Sequence, residues 1–165
     1  MNYIKSGKEQ GATLHTGGER IGSEGYFVQP TIFTDVTPDM RIVREEIFGP
    51  VSVVFKFKDE DDVVHQANDS DYGLAAAIFT KDVKKAVRTA NALNAGTVWI
   101  NMTSQVHPAV PFGGYKQSGI GRELGEYALA KYVVVRYFDM SMLIRCTPYS
   151  YTNVKAVQVN VGMQI

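Results

Sequence analysis

The sequence predicts an α/β fold with a largely parallel sheet and flanking helices. Strand-like and helix-like segments alternate with short connections, which is the pattern of this class. The central strands are continuous apolar runs such as residues 74–79, and such runs are typical of parallel strands buried between helices. The length of 165 residues and the hydrophobic content of 45% suit a globular domain with a sizeable core.

Hydrophobic periodicity and helix-boundary residues predict the elements in order. The predicted helices span residues 1–10, 59–68, 83–93 and 123–131. The predicted strands span residues 13–16, 51–57, 74–79 and 97–100, with a turn-rich loop at 17–25 and an irregular extended segment at 26–36. Asp82 opens the third helix and Gly96 follows its end. Near the end of the chain, Val157 and Val159 alternate with polar residues, as in a half-buried strand.

Charge, hydropathy and cysteine content exclude several classes of function. The 17 basic and 17 acidic residues balance to a net charge of zero without a Lys/Arg cluster, so nucleic-acid binding is not expected. No apolar run approaches the roughly 20 residues that span a membrane. Cys146 is the single cysteine, which indicates a reducing, intracellular setting, and a buried or free thiol is preferred to a nucleophile there. Metal-ligand spacing is absent around His15, His65 and His107.

Two adjacent glutamates, Glu45 and Glu46, precede Phe48 and a Gly-Pro turn. A carboxylate beside a loop can accept hydrogen bonds from ligand hydroxyls, and a nearby aromatic can pack on a flat ring. The alternative is that the glutamates are solvated or paired with Arg41 or Arg44 and that Phe48 is a core residue. Residue types alone favour this second interpretation.

A glycine-rich segment spans residues 111–123. It lacks the Gly-Lys-Ser/Thr order of a phosphate loop and a clean Gly-x-Gly-x-x-Gly, so a nucleotide-phosphate site is rejected. Phe112 either lines a pocket or plugs the loop, and the residues alone favour the plug.

Five blocks of sequence resemble the aldehyde dehydrogenase superfamily, in the family's order and at its spacing. They cover residues 25–31, 45–51, 72–80, 95–101 and 111–123. The resemblance implies the C-terminal half of an aldehyde dehydrogenase catalytic domain followed by an oligomerisation strand. The implied division is a partial catalytic domain at 1–130, an atypical insertion at 131–150 and a tail strand at 151–165.

The resemblance also implies roles for individual residues in oxidising an aldehyde with NAD or NADP. Glu46 falls where the family holds the ribose next to nicotinamide, and Phe48 falls beside the nicotinamide ring. Phe112 and Val106 fall on positions that line the aldehyde pocket. The family often has an aromatic residue at the position of Val106, so the smaller valine implies a wider substrate end of the pocket. Two further positions are assigned supporting parts, a structural one for Asn101 and one near the active-site water for Glu123.

In the family the nucleophilic cysteine, the general base and the dinucleotide-binding fold lie upstream of the block where this chain begins. We therefore expect a fragment that is inactive alone, with a non-catalytic subunit-association module as the alternative. Met1 falls in the middle of a family helix. The cytoplasm is the expected compartment, and a mitochondrial one is not excluded because the family's N-terminal part is missing.

Residues 131–150 interrupt the resemblance, because both flanks match the family and the middle does not. We expect either a short intron read through in frame, which transcript sequencing tests, or a real insertion forming a hairpin. The resemblance implies a homo-oligomer joined through residues 151–161. In a single chain we expect this strand to be an unpaired edge that adds, with the apolar run at 132–138, to aggregation. Half of a catalytic domain exposes the face that the missing half would cover, so we expect the isolated chain to be marginally stable.

Overall fold

The computed structural model describes residues 1–133 and 155–159, and the chain divides into two compact units. The first unit comprises Met1–Lys58 and the second comprises Asp59–Ile165. The prediction of an α/β fold with parallel strand pairs and helices is confirmed. The described strands form three small sheets.

The first unit is a small sheet with two helices. Its elements are α1 (Asn2–Glu9), β1 (Thr13–Thr16), β2 (Thr31–Thr34), α2 (Arg41–Arg44) and β3 (Val51–Val53). Strand β2 is central, antiparallel to β1 and parallel to β3. Phe33 is fully buried at its centre, packed with Ile4 and Ile42. Gly7 permits this packing, because a Cβ there would lie 3.0 Å from the Phe33 ring.

The second unit contains a three-stranded parallel sheet and a two-stranded ribbon. Its elements are α3 (Glu60–Asn68), β4 (Tyr72–Gly73), β5 (Ala75–Ile78), α4 (Val83–Ala92), β6 (Thr97–Ile100), β7 (Tyr115–Lys116), α5 (Gly125–Val133) and β8 (Ala156–Val159). The parallel sheet has the order β5-β6-β8, and β4 pairs with β7 in the ribbon. Strand β6 is buried along its whole length, which makes it the centre of this unit.

Side-chain caps set the beginnings of α3 and α4. The Asp59 carboxylate accepts a hydrogen bond from the backbone N–H of Asp62, and Asp82 accepts from Lys84 and Lys85. Helix α4 then buries its apolar side against β6, with a cluster made of Ala86, Ala90, Leu93, Ala95, Val98 and Ile100. The predicted start at Asp82 is confirmed.

An ion pair joins α3 to α4. The Arg88 guanidinium donates two hydrogen bonds to the Glu60 carboxylate, which also accepts one from the Thr89 hydroxyl at 2.9 Å. Hydrogen bonding to Arg88 lowers the pKa of Glu60 to about 2. The pair therefore couples the two helices most strongly when Glu60 is ionised.

Several predictions about these elements are wrong. The segment 74–79 is predicted to be a buried strand, but Ala75 and Ala77, which share one face of β5, are exposed because that face is not covered. The strand predicted at 51–57 ends at Val53. The last helix begins at Gly125 rather than at Glu123, because Glu123 forms an antiparallel bridge. The predictions missed α2, β4 and β7.

The tail strand is not left unpaired within the chain. Strand β8 pairs in parallel with β6, and Ala156 lies beside Thr97. The Lys155 ammonium donates hydrogen bonds to the carbonyls of Ala90, Asn91 and Leu93 where α4 ends. Most of the predicted insertion at 131–150, the end of the apolar run and Cys146 lie outside the described residues.

Candidate functional site

Glu45 is held by two side chains of the first unit. Its Oε1 accepts a hydrogen bond from Arg41 Nε at 2.9 Å, and its Oε2 accepts one from the Tyr3 hydroxyl at 2.8 Å. The Arg41 guanidinium lies 4.5 Å from the Tyr3 ring centroid. These hydrogen bonds, chiefly the one from Arg41, lower the pKa of Glu45. The sequence-based alternative of an ion-paired glutamate therefore describes Glu45.

Glu46 differs from its neighbour, because it is exposed and makes no hydrogen bond or ion pair with the described residues. Ile47 packs against the core of the first unit, and Phe48 is 92% exposed. The interpretation of Phe48 as a core residue is wrong. The segment thus alternates between side chains held by the protein and side chains open to a ligand.

A tight turn carries this segment into the sheet. The N–H of Gly49 donates to Ile47 O at 2.9 Å, and the N–H of Val51 donates to Gly49 O at 2.8 Å. The N–H of Thr31 then donates to Pro50 O at 2.8 Å, which attaches the turn to β2. The backbone after Phe48 is therefore fixed by hydrogen bonds on the carboxyl side of the exposed pair.

In the second unit the glycine-rich loop is closed by a two-residue bridge. Phe112 and Glu123 exchange backbone hydrogen bonds of 2.8 Å in both directions. Arg122 ties the inside of the loop, donating to the carbonyls of Gly114 and Gly121, and its guanidinium lies over the Tyr115 ring. Sequence patterns did not reveal this role of Arg122, because its acceptors are carbonyls that residue type does not identify.

An open cavity of about 640 Å³ lies against this loop. Its lining includes the predicted site residues Phe112 and Glu123, together with Leu74, Gly113, Gly114, Ser118, Ile120, Gly121, Arg122, Leu124 and Ala128. Phe112 is half-buried at the cavity wall. Val106 is 58% exposed and lies outside this lining, so the structure does not bring the two predicted pocket residues together in the cavity.

Asn101 sits at the carboxyl end of β6 with a positive φ of 56°. Its Oδ1 accepts from the Thr80 N–H at 2.9 Å, and its Nδ2 donates to Thr80 O at 3.1 Å. This two-point pairing joins the ends of β5 and β6, as a structural role requires. An amide can satisfy both backbone groups at once, and asparagine tolerates positive φ better than most residues.

Within residues 1–133 and 155–159, no group of three His, Cys, Asp or Glu side chains is arranged to hold a metal ion. None of the helices in this part of the chain is long and apolar enough to cross a membrane.

The comparisons with known proteins agree with the resemblance in the sequence. A family model described as the aldehyde dehydrogenase family matches residues 1–138. The chain belongs to the aldehyde dehydrogenase family.

The alignments with individual relatives cover most of this chain but only a small part of each relative. An aldehyde dehydrogenase of Agaricus bisporus is 58% identical over 165 residues, which are 100% of this chain and 29% of that protein. A mitochondrial benzaldehyde dehydrogenase of Antirrhinum majus is 55% identical over 136 residues, covering 82% of this chain and 26% of that protein. The chain spans less than a third of the length of these relatives.

Solved structures give the same result. The NAD+ complex of an aldehyde dehydrogenase from Bacillus cereus matches with a TM-score of 0.75 and 58% identity, over 79% of this chain and 27% of that one. An NAD-dependent aldehyde dehydrogenase from Sinorhizobium meliloti matches with a TM-score of 0.76 and 46% identity, over 79% of this chain and 26% of that one. The aldehyde dehydrogenase fold is therefore shared by most of this chain.

Proposed function

We propose that this chain forms part of an oxidoreductase that converts aldehydes to carboxylic acids with NAD or NADP. Family membership supports the class of reaction, and the Bacillus cereus relative is described as an NAD+ complex. When bound, the nicotinamide cofactor accepts hydride from the aldehyde carbon. The residues of this chain hold one end of that cofactor and one wall of the aldehyde pocket.

The exposed pair Glu46 and Phe48 is the observation that carries the proposal. The Glu46 carboxylate has no competing partner among the described residues, so it is free to accept hydrogen bonds from two ribose hydroxyls. Phe48 is 92% exposed, and so large an apolar surface is stabilised by packing on a flat ring. Phe112 and Val106 are assigned to the aldehyde pocket, and Glu123 supports the water near it.

A chimera tests this function. The matching 29% of the Agaricus bisporus enzyme is replaced by this chain, and aldehyde-dependent formation of reduced nicotinamide is followed by absorbance. We expect turnover, with KM for the cofactor raised about tenfold or more by Glu46→Gln, because a charge-assisted hydrogen bond is lost. Glu24→Gln, at an exposed site, is the matched control and leaves KM unchanged. A folded chimera without turnover refutes the proposal.

Nicotinamide mononucleotide, which carries only the nicotinamide and its ribose, tests the cofactor contact directly. It is titrated into the 165-residue chain while amide shifts are recorded by NMR. We expect shifts concentrated at Glu46 and Phe48 that disappear in Glu46→Gln. Absence of such shifts in the unaltered chain, at ligand concentrations that shift a full-length relative, refutes the assignment of these two residues.

Alone, the 165-residue polypeptide is proposed to be inactive. Its one cysteine, Cys146, lies outside every block that resembles the family, so no thiolate is supplied at the family's position. Aldehyde-dependent reduction of NAD by the purified polypeptide contradicts this. The cytoplasm is the proposed compartment, tested by fractionation.

Residues 131–150 are proposed to be an insertion between the catalytic part at 1–130 and the tail at 151–165. Deleting 131–150 from the chimera is expected to preserve or raise turnover, whereas loss of turnover would show that the segment belongs to the working enzyme.

Subunit association is a second candidate function. Strand β8 has β6 on one side, and its other edge is unpaired within the described residues. Exposed strand edges are templates for pairing with another chain. We propose that residues 151–161 join copies of this chain in a homo-oligomer. Sedimentation of the purified chain tests this, and a monomer at all concentrations removes it.

A further inference from the structure

We infer that Glu45 is a positioning residue, held by Tyr3 and Arg41 so that the neighbouring Glu46 and Phe48 stay turned toward the cofactor. The inference rests on the proposed function for its ligand. The positioning itself concerns only residues of the first unit. Glu45 and Glu46 have the same side chain, so they differ only in their contacts: Glu45 is held by hydrogen bonds and Glu46 is exposed.

Two side chains from two helices converge on the Glu45 carboxylate. Tyr3 lies on α1, Arg41 begins α2, and Glu45 follows α2 directly. Each oxygen of Glu45 has its own donor, at 2.8 Å and 2.9 Å, so the carboxylate cannot rotate without losing a hydrogen bond. Arg41 lies over the Tyr3 ring as well, which orients both donors. The group is a closed triangle rather than a single surface ion pair.

The triangle acts at the amino side of the exposed pair. Helix α2 has only four residues, and Glu45 is its C-terminal cap residue. The N–H of Glu45 donates to Arg41 O at 3.0 Å, so the backbone and the side chain of Glu45 are both attached to Arg41. Ile47, packed against the core, holds the chain again two residues later. Glu46 thus lies between two fixed neighbours although its own side chain is free.

This anchoring affects affinity because a ligand binds only the fraction of molecules in which Glu46 and Phe48 are oriented for binding. If the orientation is only partly populated, the apparent Kd rises by the inverse of that fraction. Loss of one ordinary hydrogen bond changes an equilibrium by about two- to tenfold. We therefore expect removal of one donor to raise the apparent Kd for a ribose ligand by about two- to tenfold, without removing any group that touches it.

The variants remove different parts of the triangle. Tyr3→Phe deletes the hydroxyl and keeps the ring beneath Arg41, and Glu45→Gln removes the charge at nearly constant volume. Arg41→Lys retains a cation and one donor, so it is expected to retain more order than Arg41→Met. Tyr26→Phe is the matched control, because Tyr26 is 99% exposed in the same unit.

The readout is 15N relaxation of the 165-residue chain, followed by titration with nicotinamide mononucleotide. Without ligand, we expect order parameters of about 0.85 at residues 46 and 48 in the unaltered chain, falling toward about 0.6 in Tyr3→Phe and Glu45→Gln. The apparent Kd is expected to rise in the same variants, and Tyr26→Phe is expected to change neither quantity.

Two results overturn the inference. One is unchanged order at residues 46 and 48 in both Tyr3→Phe and Glu45→Gln. The other is a uniform loss of order across the first unit with a lowered melting temperature, which indicates a merely structural role. Failure of the proposed function is distinguishable, because it appears as absent ligand shifts in the unaltered chain. The relaxation data without ligand still decide whether the triangle orders Glu46.

Discussion

Lys155 offers a sharp test of how the tail strand is held. Its ammonium donates to Ala90 O and Asn91 O at 3.1 Å each, and also to Leu93 O. Helix α4 has no basic residue in its own last turn, so Lys155 supplies the positive charge that its C-terminus favours. Lys155→Met keeps most of the aliphatic length and removes all three hydrogen bonds.

The expected cost follows from these contacts. Hydrogen bonds from a charged donor contribute about 1.5–3 kcal/mol each where they are well buried. Lys155 is only partly buried, and burial lowers the pKa of its ammonium, so part of the gain offsets desolvation. The freed carbonyls can also bind water. We therefore expect Lys155→Met to weaken docking of β8 by about 1.5 kcal/mol in total.

Amide hydrogen exchange measures this local free energy. A loss of about 1.4 kcal/mol raises the exchange rate of the amides at residues 156–159 about tenfold, if β8 opens independently of the rest. Lys5→Met is the control, because the Lys5 side chain is 75% exposed. Unchanged exchange at residues 156–159 in Lys155→Met, or an equal change in Lys5→Met, refutes the reasoning.

Three further outcomes are expected from changes in single contacts. Because Arg88 lowers the pKa of Glu60 from 4.5 to about 2, the stability from this pair is complete above about pH 4.5 and is lost as pH falls toward 2. Urea unfolding across that pH range measures the loss, and Glu60→Gln should remove this contribution to the dependence of the unfolding free energy on pH. A Cβ at Gly96 would lie 1.7 Å from the carbonyl oxygen of Gly113, so Gly96→Ala should lower the free energy of unfolding by about 3 kcal/mol or more. Gly49→Ala meets nothing within 4 Å and should change it by under about 0.5 kcal/mol in the same urea assay. Asn101→Ala should cost about 2 kcal/mol by the same measurement, since two backbone groups of the Thr80 residue lose their partner; a neutral result would contradict the structural role.

Local signals in the sequence predicted where α3 and α4 begin. Asp59 and Asp82 cap α3 and α4 through N–H groups two or three residues away, so the information for each helix start lies within one turn. The apolar spacing of α4 predicted that Ala86, Ala90 and Leu93 pack on the sheet, but Val83 and Val87, which belong to the same spacing, are exposed. The burial of β5 was mispredicted because it depends on which elements cover its two faces, and no window of sequence contains that information.

The two glutamates show why the site was only partly predictable. Residue chemistry suggested either a ligand or an ion pair, and the structure assigns the ion pair to Glu45. Arg41 stands four residues before Glu45, a spacing that pairs side chains on a helix, and the sequence already offered Arg41 as one possible partner. Tyr3 lies 42 residues away, so its hydrogen bond to Glu45 depends on the packing of α1. The exposure of Phe48 likewise required the fold.

The pairing of β8 with β6 limits how copies of this chain can associate. Strand β6 has β5 on one side, so it offers a single position for a tail strand. In one mode, a partner's tail takes that position and β8 leaves it, so the same contacts form in monomer and dimer. In the other mode, β8 stays on β6 and pairs through its outer edge. Lys155→Met should leave the dimerisation constant nearly unchanged in the first mode, because the lost hydrogen bonds cancel. In the second mode the dimer should weaken, because it requires β8 to remain docked. Sedimentation equilibrium of the two proteins, compared with Lys5→Met, therefore distinguishes exchange from edge pairing.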